Sequence, residues 1–174
     1  ESTSTPPPFT TLGIVGTGAM GRGIVQLAAQ AGLDVMLFDV KEGAIQEAKA
    51  FINGLWQRSV EKQRINAEQA QHYSERLMEA SELAALAPCD IVVEAIVEKL
   101  EAKQGLFGDL EAIVSQQAVL ATNTSSLSVT AIAAACQHPE RVIGFHFFNP
   151  VPLMKIAEVI PGLRTTDEVT QRVN

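Results

Sequence analysis

Short runs of β-branched and other apolar residues alternate along this chain with longer segments of helical period. The runs read LGIVG, DVMLFD, DIVVEA, AVLATN and RVIGFHFF. Each run is of strand length, and a continuous apolar run of that length is typical of a parallel strand covered by helices on both faces. The alternation therefore predicts an α/β fold with a doubly wound, mostly parallel sheet.

A longer segment, about residues 42–86, separates the second run from the third. Its first half has the period of an amphipathic helix. One face of that helix carries Ile45, Ala48, Ile52, Leu55, Trp56 and Ser59. A second helical pattern follows Asn66, which is a suitable N-cap, and a short strand is expected near Glu79 to Ser81. The segment is therefore predicted to be a helical hairpin inserted into the fold.

The length of 174 residues suits one domain, expected over residues 11–174, after a flexible arm at residues 1–10. The net charge of −7 and the isoelectric point near 4.9 argue against a nucleic-acid or anionic-membrane surface, which needs concentrated Lys and Arg.

Cys89 and Cys136 are far apart and lack metal-binding spacing, so no metal is expected. No apolar run is long enough to span a bilayer, and the N-terminus lacks a secretory pattern, so a cytoplasmic protein is expected.

The glycine-rich stretch GTGAMG follows the first predicted strand directly and leads into a helical pattern. Gly16, Gly18 and Gly21 match G-x-G-x-x-G, with Ala19 and Met20 between the last two glycines. In this position the first glycine permits a tight turn, the second lets backbone N–H groups approach a pyrophosphate, and the third permits close helix packing. The stretch predicts a Rossmann-type dinucleotide site, although glycines also form ordinary turns.

Asp39 ends the second predicted strand, where a carboxylate can accept hydrogen bonds from the adenosine ribose hydroxyls. Its charge would repel a 2′-phosphate, so NAD is favoured over NADP. The alternative is a solvated aspartate in a turn. As a carboxylate at a strand end, Asp39 is expected to contribute little to stability.

Four stretches of this chain, taken together, resemble the 3-hydroxyacyl-CoA dehydrogenase family. They are GTGAMGRGI, IVVEAIVEKLEAK, ATNTSSLS and GFHFFNPVPLMKIAEVI, and the resemblance covers the chain from about Leu12 onward. It implies oxidation of the 3-hydroxyl of an acyl-CoA, with hydride transfer to NAD, as in fatty acid β-oxidation.

His146 and Glu158 are the candidate catalytic pair. A histidine can take the hydroxyl proton near neutral pH, and a carboxylate bonded to its ring fixes the tautomer and stabilises the imidazolium. The intervening residues allow a turn at NPVP and a return strand, MKIAEVI, that brings Glu158 back beside His146. The alternative for His146 alone is a satisfied core histidine.

The resemblance implies further site residues. Ser125 is expected to be a third catalytic residue, whose hydroxyl bonds the reacting oxygen, and to bind the substrate and cofactor; its alternative is a turn or helix cap. Asn123 and Asn149 correspond to positions near the nicotinamide and the substrate respectively, or they fix local backbone. Ala95 and Glu98 are expected beside the cofactor, where Glu98 has the alternative of a capping acid.

Two lysines complete the expected site. Lys103 corresponds to a cofactor contact, with an exposed lysine as the alternative. Lys62, in a basic patch with Arg58 and Arg64, is a candidate for the phosphate of CoA, with a solvated helix end as the alternative.

Members of the family continue into a helical domain that closes the cleft and commonly forms a homodimer. That domain is absent from these 174 residues, so the chain is expected to be a fragment that by itself is inactive or poorly active. Two other functions stay open: a dehydrogenase of free 3-hydroxy acids, which commonly uses a lysine, and a non-catalytic NAD-binding module.

Overall fold

The computed structural model describes residues 10–96, 99–123, 126–146 and 158–161, and within these ranges strands and helices alternate. The strands are β1 Thr11–Val15, β2 Asp34–Phe38, β3 Leu77–Glu79, β4 Ile91–Glu94, β5 Val119–Asn123, β6 Val142–His146 and β7 Glu158–Pro161. The helices are α1 Ala19–Gln30, α2 Ala44–Glu61, α3 Ala67–Glu75, α4 Leu100–Ile113 and α5 Ser126–Ala134. Short 3-10 helices span Leu83–Leu86 and Pro139–Arg141.

The strands form one sheet in the order β3-β2-β1-β4-β5-β6-β7. Every pairing is parallel except that between β6 and β7, which is antiparallel. Strands β2 and β3 are added in order on one side of β1, and strands β4 to β7 are added in order on its other side. The predicted doubly wound α/β fold is confirmed, and its switch point lies between β1 and β4, where such sheets bind ligands at their carboxyl edge.

Both faces of the sheet are buried, as the continuous apolar runs predict. Along β4, Ile91 and Val93 belong to one hydrophobic core while Val92 belongs to a second core on the opposite face. This alternation follows from the two-residue period of a strand. The first core is shared with α1 to α3, and the second contains Phe107 and Leu110 of α4.

The segment between β2 and β3 forms the predicted pair of helices. The apolar face of α2 buries Ala48, Ile52 and Trp56 in the first core. Asn66 caps α3 through a reciprocal pair of hydrogen bonds with Gln69, the capping box expected of this pattern. The short strand after the pair is β3, which begins two residues earlier than the predicted position near Glu79 to Ser81.

Candidate functional site

The loop between β1 and α1 has a shape that requires glycine at two positions. Gly16 has a φ of +102°, and a Cβ on it would lie 2.7 Å from the carbonyl oxygen of Ala95. A Cβ on Gly21 would overlap the carbonyl oxygen of Gly16. The turn and the close approach of helix to strand, which the glycine spacing predicts, are both present.

Gly18 differs from the other two glycines because the protein's own packing does not require it. Its φ is −72°, and a Cβ there would meet no protein atom within 4 Å. It is the N-cap of α1, and no side chain of the described residues caps this helix. The first N–H groups of α1, beside Ala19 and Met20, are therefore open to an anion such as a pyrophosphate.

Asp39 lies immediately after β2 and is held by three hydrogen bonds. Its Oδ2 accepts from the backbone N–H and the hydroxyl of Thr17, each at 2.8 Å, and its Oδ1 accepts from the N–H of Lys41 at 2.9 Å. Burial opposes ionisation, but the hydrogen bonds from Lys41 and Thr17 and the charge of Lys41 outweigh it and lower the pKa of Asp39. These bonds tie β2 to the glycine loop, so the structure favours a contribution of this carboxylate to stability, contrary to the expectation from its place at a strand end.

An ionised carboxylate offers about four acceptor positions, and the three bonds to Asp39 leave one on Oδ1. The residue therefore has room for one further donor, such as a ribose hydroxyl, rather than for two. The sequence did not reveal Thr17 as its partner, because the middle residue of a glycine motif carries no signal of a contact 22 positions away.

A cavity of about 690 Å³ opens beside Asp39, between the glycine loop, the end of β2 and α4. Its walls are mainly apolar and include Phe38, Val40, Ile96 and Leu106. It also holds three carboxylates and no described lysine or arginine. These carboxylates belong to Asp39, Glu101 and Asp109. An apolar slot with an acidic rim suits an adenosine group and disfavours an additional phosphate.

A charged cluster that no sequence motif predicted lies just below this edge of the sheet. Glu94, the last residue of β4, accepts from the hydroxyl of Thr122 at 2.5 Å and lies 3.2 Å from the ammonium of Lys103. Lys103 is only 2% exposed, so its reading as an exposed lysine is wrong. A glutamate at the end of a fully apolar strand was the available signal, since a carboxylate buried there needs a partner.

His146 and Glu158 are cross-strand partners. His146 is the last residue of β6 and Glu158 the first of β7, and the antiparallel register pairs them directly. Residues that are directly opposite on antiparallel strands are neighbours. Both lie at the carboxyl edge of the parallel strands, the edge that also carries the glycine loop. The return strand predicted from MKIAEVI is present over its described part, Glu158–Pro161, and residues 154–157 lie outside the described residues.

The other predicted site residues divide by whether the structure describes them. Asn123 is the last residue of β5, at the same edge of the sheet, and Ala95 follows β4 and packs on Gly16. Lys62 is the C-cap residue of α2, and it is exposed together with Arg58 and Arg64. Glu98, Ser125 and Asn149 lie outside the described residues.

Neither a membrane-spanning helix nor a metal-binding cluster occurs in the described ranges of the chain. No described helix has the length and apolar character needed to cross a bilayer. No group of three or more His, Cys, Asp or Glu residues there could hold a metal ion.

Curated relatives and solved structures resemble this chain closely. A 3-hydroxybutyryl-CoA dehydrogenase of Bradyrhizobium diazoefficiens is 44% identical over 156 residues, which are 90% of this chain and 53% of that protein. A 3-hydroxyadipyl-CoA dehydrogenase of Escherichia coli is 42% identical over 163 residues, 94% of this chain and 34% of that protein. The crystal structure of an E. coli 3-hydroxybutyryl-CoA dehydrogenase superposes with a TM-score of 0.91 at 41% identity, covering 96% of this chain and 35% of that one.

The chain thus spans about a third of one of these curated relatives and about half of the other. A family model described as the NAD-binding domain of 3-hydroxyacyl-CoA dehydrogenase matches residues 11–174. The chain therefore belongs to the family of 3-hydroxyacyl-CoA dehydrogenase NAD-binding domains, and its cofactor is NAD.

Proposed function

We propose that this chain is the NAD-binding and catalytic part of a 3-hydroxyacyl-CoA dehydrogenase. The observation that carries the proposal is the register of β6 and β7, which pairs His146 with Glu158 at the edge of the sheet that holds the glycine loop. The names of the relatives, which act on 3-hydroxybutyryl-CoA and 3-hydroxyadipyl-CoA, support an acyl-CoA as substrate.

The residues of the glycine loop fit the proposed cofactor. The open N-terminus of α1 beside Gly18 would hold the pyrophosphate, and the remaining acceptor position of Asp39 would take a ribose hydroxyl. The apolar cavity beside Val40 would hold the adenine. NAD bound there would supply the acceptor for the hydride from C3 of the substrate.

His146 is the proposed general base. It takes the proton of the 3-hydroxyl as the C3–H bond breaks, so the hydroxyl carbon becomes a carbonyl and the imidazole becomes an imidazolium. Glu158 fixes the orientation of the ring and stabilises its positive charge. In the reverse direction, the imidazolium returns the proton to the ketone oxygen.

Further residues of the proposed site have supporting roles. Ser125 would hydrogen-bond the reacting oxygen and contact the cofactor, and Asn149 would help to bind the substrate. Asn123, Ala95 and Glu98 would surround the cofactor, and Lys103, which is buried against Glu94, would support the site from beneath. Lys62, exposed at the end of α2, would meet the phosphate of CoA.

Two measurements test the proposal. Titration calorimetry with NADH on this chain should give a single site, and failure to bind NADH would overturn the cofactor assignment. A form of the protein that extends to the length of its relatives should then oxidise NADH with acetoacetyl-CoA and show no turnover with free acetoacetate. Turnover of the free acid would instead indicate a 3-hydroxy acid dehydrogenase, and NADH binding without turnover of either compound would indicate a binding module.

A homodimer formed through a further helical domain, and action in the cytoplasm, are also part of this proposal. Cys89 and Cys136 are both free thiols, which fits a reducing compartment. Gel filtration of the longer form, and fractionation of cells that express it, would test the two points separately.

A further inference from the structure

Glu94, Lys103 and Thr122 form a buried polar cluster at the carboxyl ends of β4 and β5. Glu94 and Thr122 are fully buried and Lys103 is 2% exposed. Glu94 Oε1 accepts from the Thr122 hydroxyl at 2.5 Å and pairs with the Lys103 ammonium at 3.2 Å. Its second oxygen, Oε2, accepts from the backbone N–H of Ile96 at 2.7 Å. One carboxylate therefore joins two strands, a loop and α4.

The cluster lies directly below the crevice of the sheet. In the register of the three central strands, Val15, Glu94 and Thr122 stand side by side. The residues that follow them along the chain are Gly16, Ala95 and Asn123, which are all in the proposed cofactor site. The cluster is thus one residue below the surface on which the dinucleotide would lie.

A contribution to stability alone does not explain why Glu94 and Lys103 form a buried charged pair. Burial raises the pKa of Glu94 even though Thr122, Lys103 and Ile96 all favour its ionised form. Replacement of such buried pairs by apolar residues is often neutral or stabilising. What Glu94 provides is a fixed geometry for the groups that it contacts.

The group most directly fixed is the start of the loop after β4. Ile96 is held by Glu94, and the N–H of Ala95 donates to the carbonyl of Val15 at 2.9 Å. The carbonyl of Ala95 packs so closely on Gly16 that a Cβ there would lie 2.7 Å away. Ala95 and Ile96 both line the cavity beside Asp39, so Glu94 sets the position of one wall of that cavity relative to the glycine loop.

We propose that Glu94 is a positioning residue for NAD, which holds Ala95, Ile96 and Lys103 in the arrangement that the cofactor requires. The proposal rests on the NAD-binding function proposed above. It goes beyond that function by assigning affinity for the cofactor to a carboxylate that is fully buried beneath the site and lines no part of the cavity.

The test compares NADH affinity with the stability of the free chain in matched variants. Glu94→Gln should weaken NADH binding by about tenfold or more, and Thr122→Val by about threefold to fivefold, because each removes part of the charge-assisted network. Thr122→Ser keeps the hydroxyl and should stay within about twofold of the unaltered chain. Affinities are measured by NADH fluorescence at a temperature where melting curves show every variant to be folded.

Ile52→Val is the control for destabilisation alone, because Ile52 is fully buried in α2 and lines neither the cavity nor the glycine loop. It should lower the melting temperature and leave the NADH affinity unchanged. If Glu94→Gln and Thr122→Val behave in the same way as this control, Glu94 is merely structural and the inference fails. If Glu94→Gln does not fold, the pair of Thr122 variants decides the matter. A failure of the unaltered chain to bind NADH would instead overturn the proposed function.

Discussion

The hydroxyl of Thr17 lies 2.8 Å from Oδ2 of Asp39 and joins the glycine loop to the end of β2. The backbone N–H of Thr17 donates to the same oxygen. Asp39 is therefore both part of the support of the glycine loop and the carboxylate that faces the proposed adenosine site. Replacement of Asp39 should therefore change two properties, the stability of the fold and the preference for NADH over NADPH.

Cofactor preference should depend on the charge of Asp39. The unaltered chain should bind NADH at least about tenfold more tightly than NADPH, because the acidic rim of the cavity repels a 2′-phosphate. Asp39→Asn should reduce that ratio, since it removes the nearest charge and keeps an acceptor oxygen for Thr17. Fluorescence titration with both cofactors measures the ratio, and equal affinities of the unaltered chain for them would contradict the assignment.

Stability should also depend on Asp39. Asp39→Ala should lower the free energy of unfolding by about 1 to 3 kcal/mol, because it leaves the N–H and hydroxyl of the buried Thr17 without their acceptor. Asp34→Ala, at the exposed first position of β2, is the matched control and should change the free energy of unfolding by less than about 0.5 kcal/mol. Urea denaturation gives the free energy of unfolding of both variants. Equal values would show that the hydrogen bonds between Thr17 and Asp39 contribute nothing to stability.

The contribution of Asp39 should disappear in acid. Its pKa in the folded chain is below the ordinary value of 3.8, so the ionised form stabilises the fold above that value and the stabilisation is lost as the pH falls through the folded pKa. The difference in unfolding free energy between the unaltered chain and Asp39→Asn should hold from pH 7 to about pH 5 and shrink below about pH 4. A difference that is the same at pH 3 as at pH 7 would mean that the charge is not involved.

The fold could be predicted from the sequence because its signals are local. Strand length, the apolar period of α2 and the glycine spacing each depend on residues within one element, and the N-cap at Asn66 is read in the same way. The order of the elements then restricts the topology, because the parallel connections are right-handed. The register that pairs His146 with Glu158 could be anticipated because the two residues are close in the sequence and the stretch between them contains NPVP, a pattern typical of turns.

The polar contacts beneath the site could not be predicted, because they join residues far apart in the chain. Thr122 is 28 positions from Glu94 and Asp39 is 22 positions from Thr17. A single sequence gives no sign of which distant side chain meets a buried carboxylate. Lys103 is an example: in the sequence it resembles any lysine of a helix, whereas in the structure its ammonium is buried.

Substitutions of Gly21 and Gly18 should have different effects, the first on folding and the second on NADH binding. Gly21→Ala should prevent the native packing of α1, because its Cβ would overlap the carbonyl of Gly16. Gly18→Ala should cost less than about 1 kcal/mol of stability and yet weaken NADH binding by about tenfold, because only the ligand needs that space. Gly108→Ala, exposed in α4 with open space around it, is the control and should stabilise the chain by up to about 1 kcal/mol. Normal NADH affinity in Gly18→Ala would show that the pyrophosphate lies elsewhere.

The thiols of Cys89 and Cys136 should react slowly with a disulfide reagent in the folded chain. Burial, followed by the charge of Asp90, raises the pKa of Cys89 to about 12. Burial and then Glu111 raise that of Cys136 to about 11, against the opposing charge of Arg141. At pH 8 roughly one Cys136 in a thousand, and fewer of Cys89, would be thiolate, so a disulfide reagent should titrate both cysteines rapidly only after denaturation. Rapid reaction of either thiol in the native chain at pH 7 would contradict this.

The pairing of His146 with Glu158 should be visible in turnover. In a form of the protein that extends to the length of its relatives, His146→Gln should lower turnover of acetoacetyl-CoA by at least about a hundredfold, as expected for the loss of a general base. NADH affinity should barely change. His72→Gln, an exposed histidine of α3, is the control and should keep full turnover.

Glu158→Gln should also lower turnover substantially, because an amide can contact the imidazole but cannot stabilise its protonated form. If the two residues act as one unit, the double variant should be about as slow as the slower single variant, since the orienting acid matters only while the base is present. Steady-state kinetics of the four forms across a range of pH measures this coupling. Fully additive losses, or a Glu158→Gln enzyme with unchanged turnover and pH profile, would show that the register of β6 and β7 brings these residues opposite each other without a catalytic consequence.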